Sequence, residues 1–243
     1  MTYCIGMLVR DGLVMMADTR TNAGVDNIST YRKLRLYGND GKRLIAVASA
    51  GSLSTTQGAV QRVARGVINP ETERTETWSS FSSIYDAAIA AGRALRATRD
   101  SMEELHQPGI NFDATLLVGG SINGEPSRLF LVYSAGNTIE CAPDTPYMQI
   151  GELKYGKPIL DRALHYDTPL PEAIKIGLVS FDSTMRANLA VGLPIDLMVA
   201  DAGVNQTRIN RRIEESDDYF LTLSLQWHQK LARATDELPL PPY

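Results

Sequence analysis

The stretch "YCIGMLVRDGLVMMAD", residues 3–18, decides the fold of this chain. Its two apolar runs flank the turn residues Arg10-Asp11-Gly12, so the stretch predicts two antiparallel strands joined by a tight turn. A second hairpin is predicted from "KLRLY" at 33–37, the turn "GNDGK" and the apolar run "RLIAVASAG" at 43–51. Two consecutive hairpins indicate antiparallel sheet at the start of the chain.

After Gly51 the hydrophobic period changes to three or four residues, which predicts helices over 52–69 and 78–106. Further along, the same patterns predict strands at 113–121, 127–135, 137–143 and 194–201, and helices at 156–166, 170–188 and 209–234. Strands and helices are segregated along the chain and do not alternate. This order favours an α+β sandwich of antiparallel sheets with helices packed outside, in one domain spanning 1–243. A C-terminal helical extension and a proline-rich tail are predicted at about 206–243.

Composition, charge and missing motifs give no support to several classes of function. The net charge of −4 gives no electrostatic argument for nucleic acid or for an anionic membrane surface as a partner. We find neither a signal-peptide pattern nor an apolar run of about 20 residues that could span a membrane. Cys4, Cys141 and the three histidines show no metal-ligand spacing, and no cofactor is predicted. A cytoplasmic protein is the expectation.

Three residues near the N-terminus suggest chemistry when they are considered together. Thr2, Asp18 and Lys33 each have an ordinary structural interpretation alone, as a start residue, a turn cap and a solvated charge. If Met1 is removed, however, Thr2 carries both a hydroxyl nucleophile and an α-amine, whose unperturbed pKa of about 7.7–8.0 suits a base. A nearby lysine would lower that pKa, and a carboxylate would hold the lysine in place.

The hairpin geometry supports this set. Asp18 ends the second strand and Thr2 starts the first, so antiparallel pairing makes the two ends neighbours. The segment "ASAGS" then places Gly51 just after a strand and just before a helix. A backbone N–H in that position can stabilise a developing oxyanion.

These residues resemble a known family. The segments "ADTRTNAG" at 17–24 and "SAGS" at 49–52, with Lys33 between them, are similar to the catalytic β-subunits of proteasomes. The opening "MTYC" together with "ADTRTNAGVDN" most resembles the bacterial Anbu, or ancestral β-subunit, branch. The resemblance implies an N-terminal nucleophile (Ntn) hydrolase with a four-layer αββα sandwich.

The resemblance also implies roles for individual residues. Thr2 matches the nucleophile, Asp18 the orienting acid, Lys33 the cation and Gly51 the oxyanion donor, while Arg20 matches the arginine that follows the acid. Contacts with the substrate or with the amine are implied for Arg20 and for the residues Asn22, Glu152 and Asp182. Glu152 stands where the family has a serine, and Asn22 where a threonine is common.

We weigh three functions. The first is a threonine-type hydrolase that cleaves peptide or amide bonds after removal of Met1, within a homo-oligomeric ring or open helical assembly. The second is a catalytically weak or inactive self-assembling scaffold or peptide-binding chamber, which retention of Met1 and the change at Glu152 would favour. The third, a cysteine enzyme using Cys4, is disfavoured because the residue lies inside a strand without a nearby histidine.

Overall fold

The structure, a computed structural model, describes residues 2–22, 28–103 and 111–243. Its helices are α1 (Leu53–Arg65), α2 (Ile84–Glu103), α3 (Lys157–Ala163), α4 (Leu170–Ala187) and α5 (Asp218–Asp236). Its strands are β1 (Tyr3–Val9), β2 (Gly12–Asp18), β3 (Arg20–Asn22), β4 (Ile28–Thr30), β5 (Leu34–Gly38), β6 (Arg43–Gly51), β7 (Val67–Ile68), β8 (Thr75–Glu76), β9 (Ala114–Ile122), β10 (Arg128–Val132), β11 (Thr138–Glu140), β12 (Tyr147–Gly151), β13 (Ile195–Asp201) and β14 (Ile209–Ile213).

The predicted opening hairpin lies in the interior of the first sheet. β1 and β2 pair with Cys4 opposite Ala17, and the sheet has the antiparallel order β12-β1-β2-β13-β14. Every residue of β2 is buried, since both faces of the sheet are covered. This explains why "GLVMMAD" is a continuous apolar run and not an alternating one.

The second sheet contains the second predicted hairpin. Its order is β11-β10-β9-β6-β5, with β6 pairing along β9 from Arg43 opposite Ile122 to Gly51 opposite Ala114. Strand β5 forms one edge and pairs with β6. Gly51 therefore ends a long, central strand, which fixes where α1 begins.

Three apolar clusters show how the layers stack. Leu13, Met15, Leu44 and Leu117 belong to the cluster between the two sheets. Helices α3 and α4 cover the outer face of the first sheet, and α1 and α2 cover the outer face of the second. The molecule is thus a sandwich of two antiparallel sheets with helices outside, as the element order predicted, and it has the four αββα layers that the resemblance implied. Among the described residues, no helix is long and apolar enough to cross a membrane.

Two local predictions are corrected by the structure, and one strand that borders the site was missed. Residues 209–213, predicted as helix, form β14 and pair with β13, because the apolar side chains of Ile209 and Ile213 also fit a strand at a sheet edge. The second helix was predicted to begin at 78 but begins at Ile84. Ser83 precedes it and accepts a hydrogen bond from the Asp86 N–H at 3.1 Å, which caps this end of the helix. Strand β12 was not predicted, although it pairs with β1 beside Thr2.

Candidate active site

Four of the predicted site residues, Thr2, Arg20, Lys33 and Gly51, meet at a cavity of about 480 Å³. Thr2 lies just before β1, Lys33 just before β5, and Gly51 at the end of β6. The lining residues are Thr2, Arg20, Thr21, Tyr31, Lys33, Ser49, Ala50, Gly51, Leu53, Thr56 and Gly151. The cavity is therefore built where strand ends of both sheets converge.

A buried ion pair lies beneath this cavity. Asp18 is fully buried, and its Oδ1 accepts hydrogen bonds from Lys33 Nζ at 2.7 Å and from the Tyr3 N–H at 2.9 Å. Its Oδ2 accepts from the Arg20 N–H at 3.2 Å, while Lys33 Nζ also donates to the Arg20 carbonyl at 2.7 Å. Asp18 thus fixes both the lysine and the backbone next to Thr2. Burial raises the pKa of Asp18, and the pairing with Lys33 opposes that rise.

Gly51 occupies a position that another residue could adopt only with strain. Its φ is +97°, and a Cβ built there would lie 2.4 Å from the Asp113 carbonyl oxygen. The next residue, Ser52, caps α1 by accepting a hydrogen bond from the Thr55 N–H at 3.4 Å. The positive end of α1 consequently borders the cavity, where backbone N–H groups can stabilise negative charge.

Gly51→Ala is expected to destabilise the fold more than Gly41→Ala does. Both glycines have positive φ, +97° and +80°, but a Cβ at Gly41 meets nothing within 4 Å. The loss of unfolding free energy in Gly51→Ala minus the loss in Gly41→Ala therefore measures the clash with the Asp113 carbonyl. We expect this difference to be about 1–3 kcal/mol. Urea denaturation of both variants measures this difference. Equal losses of stability would mean that the backbone at Gly51 relaxes and is not fixed by β9.

The carbonyl of Thr2 is held by the end of β12. The Glu152 N–H donates to it at 2.7 Å, and a Cβ on Gly151 would lie 2.1 Å from the same oxygen. The Glu152 carboxylate accepts from the Lys154 N–H at 3.0 Å and from Asn188 Nδ2 at 2.9 Å, and these bonds keep its pKa below the usual range. The contact predicted between Glu152 and the Thr2 amine stays a prediction. In the full chain that nitrogen is bonded to Met1, which lies outside the described residues.

Arg20 connects the site to the turn after α4. Its Nη1 donates to the Leu189 carbonyl at 2.9 Å, and its guanidinium covers Gly192, where a Cβ would lie 2.5 Å from Cζ. The same turn supplies Asn188, the partner of Glu152. Sequence reasoning missed Asn188 and this turn. The one available signal was that Asn188 is a polar residue at a helix end. That signal does not reveal that its partner is Glu152, 36 residues away.

Asp182 was predicted to lie in the site and does not. It is buried on α4, where Oδ1 accepts from Ser224 Oγ of α5 at 2.6 Å and Oδ2 accepts from Arg186 Nε at 3.1 Å. Its carboxylate joins two outer helices, so the predicted contact with substrate or amine is wrong. Asn22 ends β3 opposite Ile28, and its contact with substrate stays a prediction.

The cysteine alternative gains no support from the structure. Cys4 is fully buried between the sheets, and this burial raises the pKa of its thiol far above the usual range. A thiol in that state is a poor nucleophile. In the described ranges, no group of three or more His, Cys, Asp or Glu side chains could hold a metal ion.

Comparisons with known proteins agree with this architecture. A scan against models of protein families finds no match. Proteasome subunit beta 2 of Pyrobaculum neutrophilum is 24% identical over 202 residues, which cover 82% of this chain and 88% of that protein. The solved structure of Anbu from Yersinia bercovieri is 43% identical, covers 99% of this chain and 100% of its own, and has a TM-score of 0.89.

Two further solved structures are similar. Anbu from Hyphomicrobium sp. strain MC1 is 39% identical with a TM-score of 0.88, covering 99% of this chain and 100% of that one. The helical assembly of the Anbu complex from Pseudomonas aeruginosa is 40% identical with a TM-score of 0.87, covering 99% and 98%. The fold is therefore that of proteasome-type β-subunits in the Ntn-hydrolase class. Within that class, the chain belongs to the Anbu family.

Proposed function

We propose that this chain is a threonine-type Ntn hydrolase that cleaves peptide or amide bonds within a self-assembled complex. The observation that supports this most is the buried Asp18–Lys33 pair. Its lysine lines the same cavity as Thr2. An ion pair removed from water in this way is costly unless its geometry is well satisfied. One hydrogen bond within the pair and three with the neighbouring backbone provide that geometry.

The proposed reaction uses the chain's own groups. After Met1 is removed, the Thr2 amine accepts the proton of Thr2 Oγ while the oxygen attacks the substrate carbonyl. The Gly51 N–H, at the end of β6 and just before α1, stabilises the oxyanion, and the amine then passes the proton to the leaving nitrogen. The resulting ester on Thr2 is hydrolysed by water. Lys33 favours the neutral amine by repelling a second positive charge, and Asp18 holds Lys33 in position.

Removal of Met1 is expected to switch on turnover. A peptide-bonded nitrogen cannot act as the base, so protein that retains Met1 should be at least about 100-fold slower in kcat/KM than protein beginning at Thr2. A single preparation, assayed on a peptide-amide library before and after treatment with methionine aminopeptidase, provides the comparison. Intact mass verifies removal, and Thr2→Ala protein treated in parallel is the control, because it loses Met1 without gaining a nucleophile. Equal rates before and after complete removal would contradict the proposed base.

A second candidate function is supported by the surface of α5. Tyr219, Leu221 and Leu225 are between 51% and 57% exposed and lie within seven residues of one helix, so they offer apolar surface to a partner. Since the Pseudomonas aeruginosa relative forms a helical assembly, we propose that this chain also self-associates, in a ring or an open helix. A chamber of this kind with inactive sites would bind peptides without cleaving them, and the Met1 comparison separates it from the hydrolase.

We also propose a cytoplasmic location. Cys4 and Cys141 are both free thiols and both buried. Cysteines that are not paired in a disulfide are typical of a reducing compartment, and the cytoplasm is one.

A further inference from the structure

A second cavity, of about 620 Å³, adjoins the one that contains Thr2. The two cavities share Tyr31, Lys33, Ser49 and Thr56. The second one extends between the edge strand β5, strand β6 and helix α1, and we call it the side cavity. It is lined by Tyr31, Lys33, Arg35, Tyr37, Val47, Ser49, Ser54, Thr56, Gln57, Gly58, Val60, Gln61 and Ala64. A group attached to a substrate at Thr2 could reach it directly.

The charge of the side cavity is positive. Its lining contains Lys33 and Arg35 and no carboxylate. The charge of Lys33 is matched by Asp18, but no Asp or Glu in the described ranges lies within ion-pair distance of Arg35. Arg35 also lines a separate cavity that contains Asp196, but in the side cavity it is the charged group that remains for a ligand. Guanidinium groups bind carboxylates with paired N–H donors.

Arg35 is also held in place. One of its terminal nitrogens donates to Tyr31 Oη at 3.2 Å, and its Cζ lies 5.4 Å from the centre of the Tyr31 ring. A stacked and hydrogen-bonded guanidinium loses less freedom when it binds a partner. Because Tyr31 lines both cavities, this contact fixes the arginine next to the site.

The remaining lining suits a side chain with an apolar stem and a polar end. Val47, Val60 and Ala64 contribute apolar surface, while Gln57 and Gln61 contribute amides. We propose that the side cavity selects a substrate whose residue on the acyl side of the cleaved bond carries a carboxylate, as glutamate does, with Arg35 as its partner. The preference for cleavage after an acidic residue rests on the proposed hydrolase function. The binding of that residue in the side cavity does not.

Hydrolysis of matched substrates tests the selectivity. Peptidyl aminocoumarins that differ only in Glu, Gln or Lys before the leaving group are assayed with Met1-free protein. We expect kcat/KM for Glu to exceed that for Gln at least tenfold at low salt, and the difference to shrink at high salt. Arg35→Gln should remove the difference, and Arg35→Glu should make Lys the better substrate. Arg62→Gln, an exposed arginine of α1 outside the lining, should leave the preference unchanged.

Binding measured without turnover separates this inference from the proposed function. Thr2→Ala protein is titrated with labelled peptides ending in Glu or Gln, with and without Arg35→Gln. Tighter binding of the Glu peptide that depends on Arg35 supports the side cavity even if no substrate is hydrolysed, in which case the hydrolase proposal fails. Turnover with equal rates for Glu and Gln, or a Glu preference that survives Arg35→Gln, overturns the inference and leaves the hydrolase proposal intact.

Discussion

Met1-free protein carrying Thr2→Ala should lose at least about 1,000-fold in kcat/KM on every peptide or amide substrate that the parent protein hydrolyses. Alanine keeps the free amine but removes the oxygen that forms the ester. The Asp18–Lys33 pair is expected to remain, since Asp18 contacts the N–H of Tyr3 and not the Thr2 side chain. The loss should therefore appear in kcat/KM without a change in the melting temperature.

Thr2→Ser is the matched control for this result. Serine retains the hydroxyl and loses only the methyl group, so it should recover turnover to within about 100-fold of the parent. Thermal unfolding of both variants checks that the fold is unchanged. If Thr2→Ala hydrolysed substrates as fast as the parent, the nucleophile would lie elsewhere and the proposed reaction would be wrong.

The parts of the site that could be predicted are those that local pairing determines. A two-strand hairpin with a short turn fixes its own register, so Asp18 had to lie beside the residue that precedes β1. The glycine at the end of β6 could be predicted because the hydrophobic period changes there. These inferences needed only contacts between neighbouring elements.

The parts that could not be predicted depend on contacts between distant segments. Arg20 binds the Leu189 carbonyl and Glu152 binds Asn188, across 169 and 36 residues, and no sequence period relates such partners. The error at Asp182 has a similar origin. Helical spacing places it one turn from Arg186, but only the packing of α5 on α4 determines that it faces Ser224. Distant packing therefore decided which acids face the site.

The two members of the buried pair are expected to shift the pH dependence of turnover in opposite directions. Lys33→Met removes a cation near the Thr2 amine, so the amine pKa should rise and the acidic limb of kcat/KM should move up by about one pH unit. Asp18→Asn removes the anion and keeps the cation, so the same limb should move down. Both variants should also lose about 100- to 10,000-fold at the plateau, because the remaining partner is no longer positioned.

The same pair should show an asymmetry in stability. Burial raises the pKa of Asp18, so the folded chain holds that proton more tightly than the unfolded chain does. Protonation of Asp18 thus favours the fold at acid pH, and this gain is lost as the pH rises through the folded pKa. Asp18→Asn leaves the Lys33 ammonium with the Arg20 carbonyl as an acceptor, so this variant should change the free energy of unfolding by no more than about 2 kcal/mol. Lys33→Met strands a buried carboxylate and should cost about 3–5 kcal/mol near neutral pH.

Three measurements on Met1-free protein decide these points together: pH profiles of kcat/KM, urea denaturation at neutral and acid pH, and the double variant. Asp18→Asn with Lys33→Met removes both charges, so it should be more stable than Lys33→Met alone while remaining as inactive as either single variant. Limbs that move in the same direction would show that Lys33 acts by packing and not by its charge. Equal stability losses at neutral pH would show that burial does not favour the neutral form of Asp18.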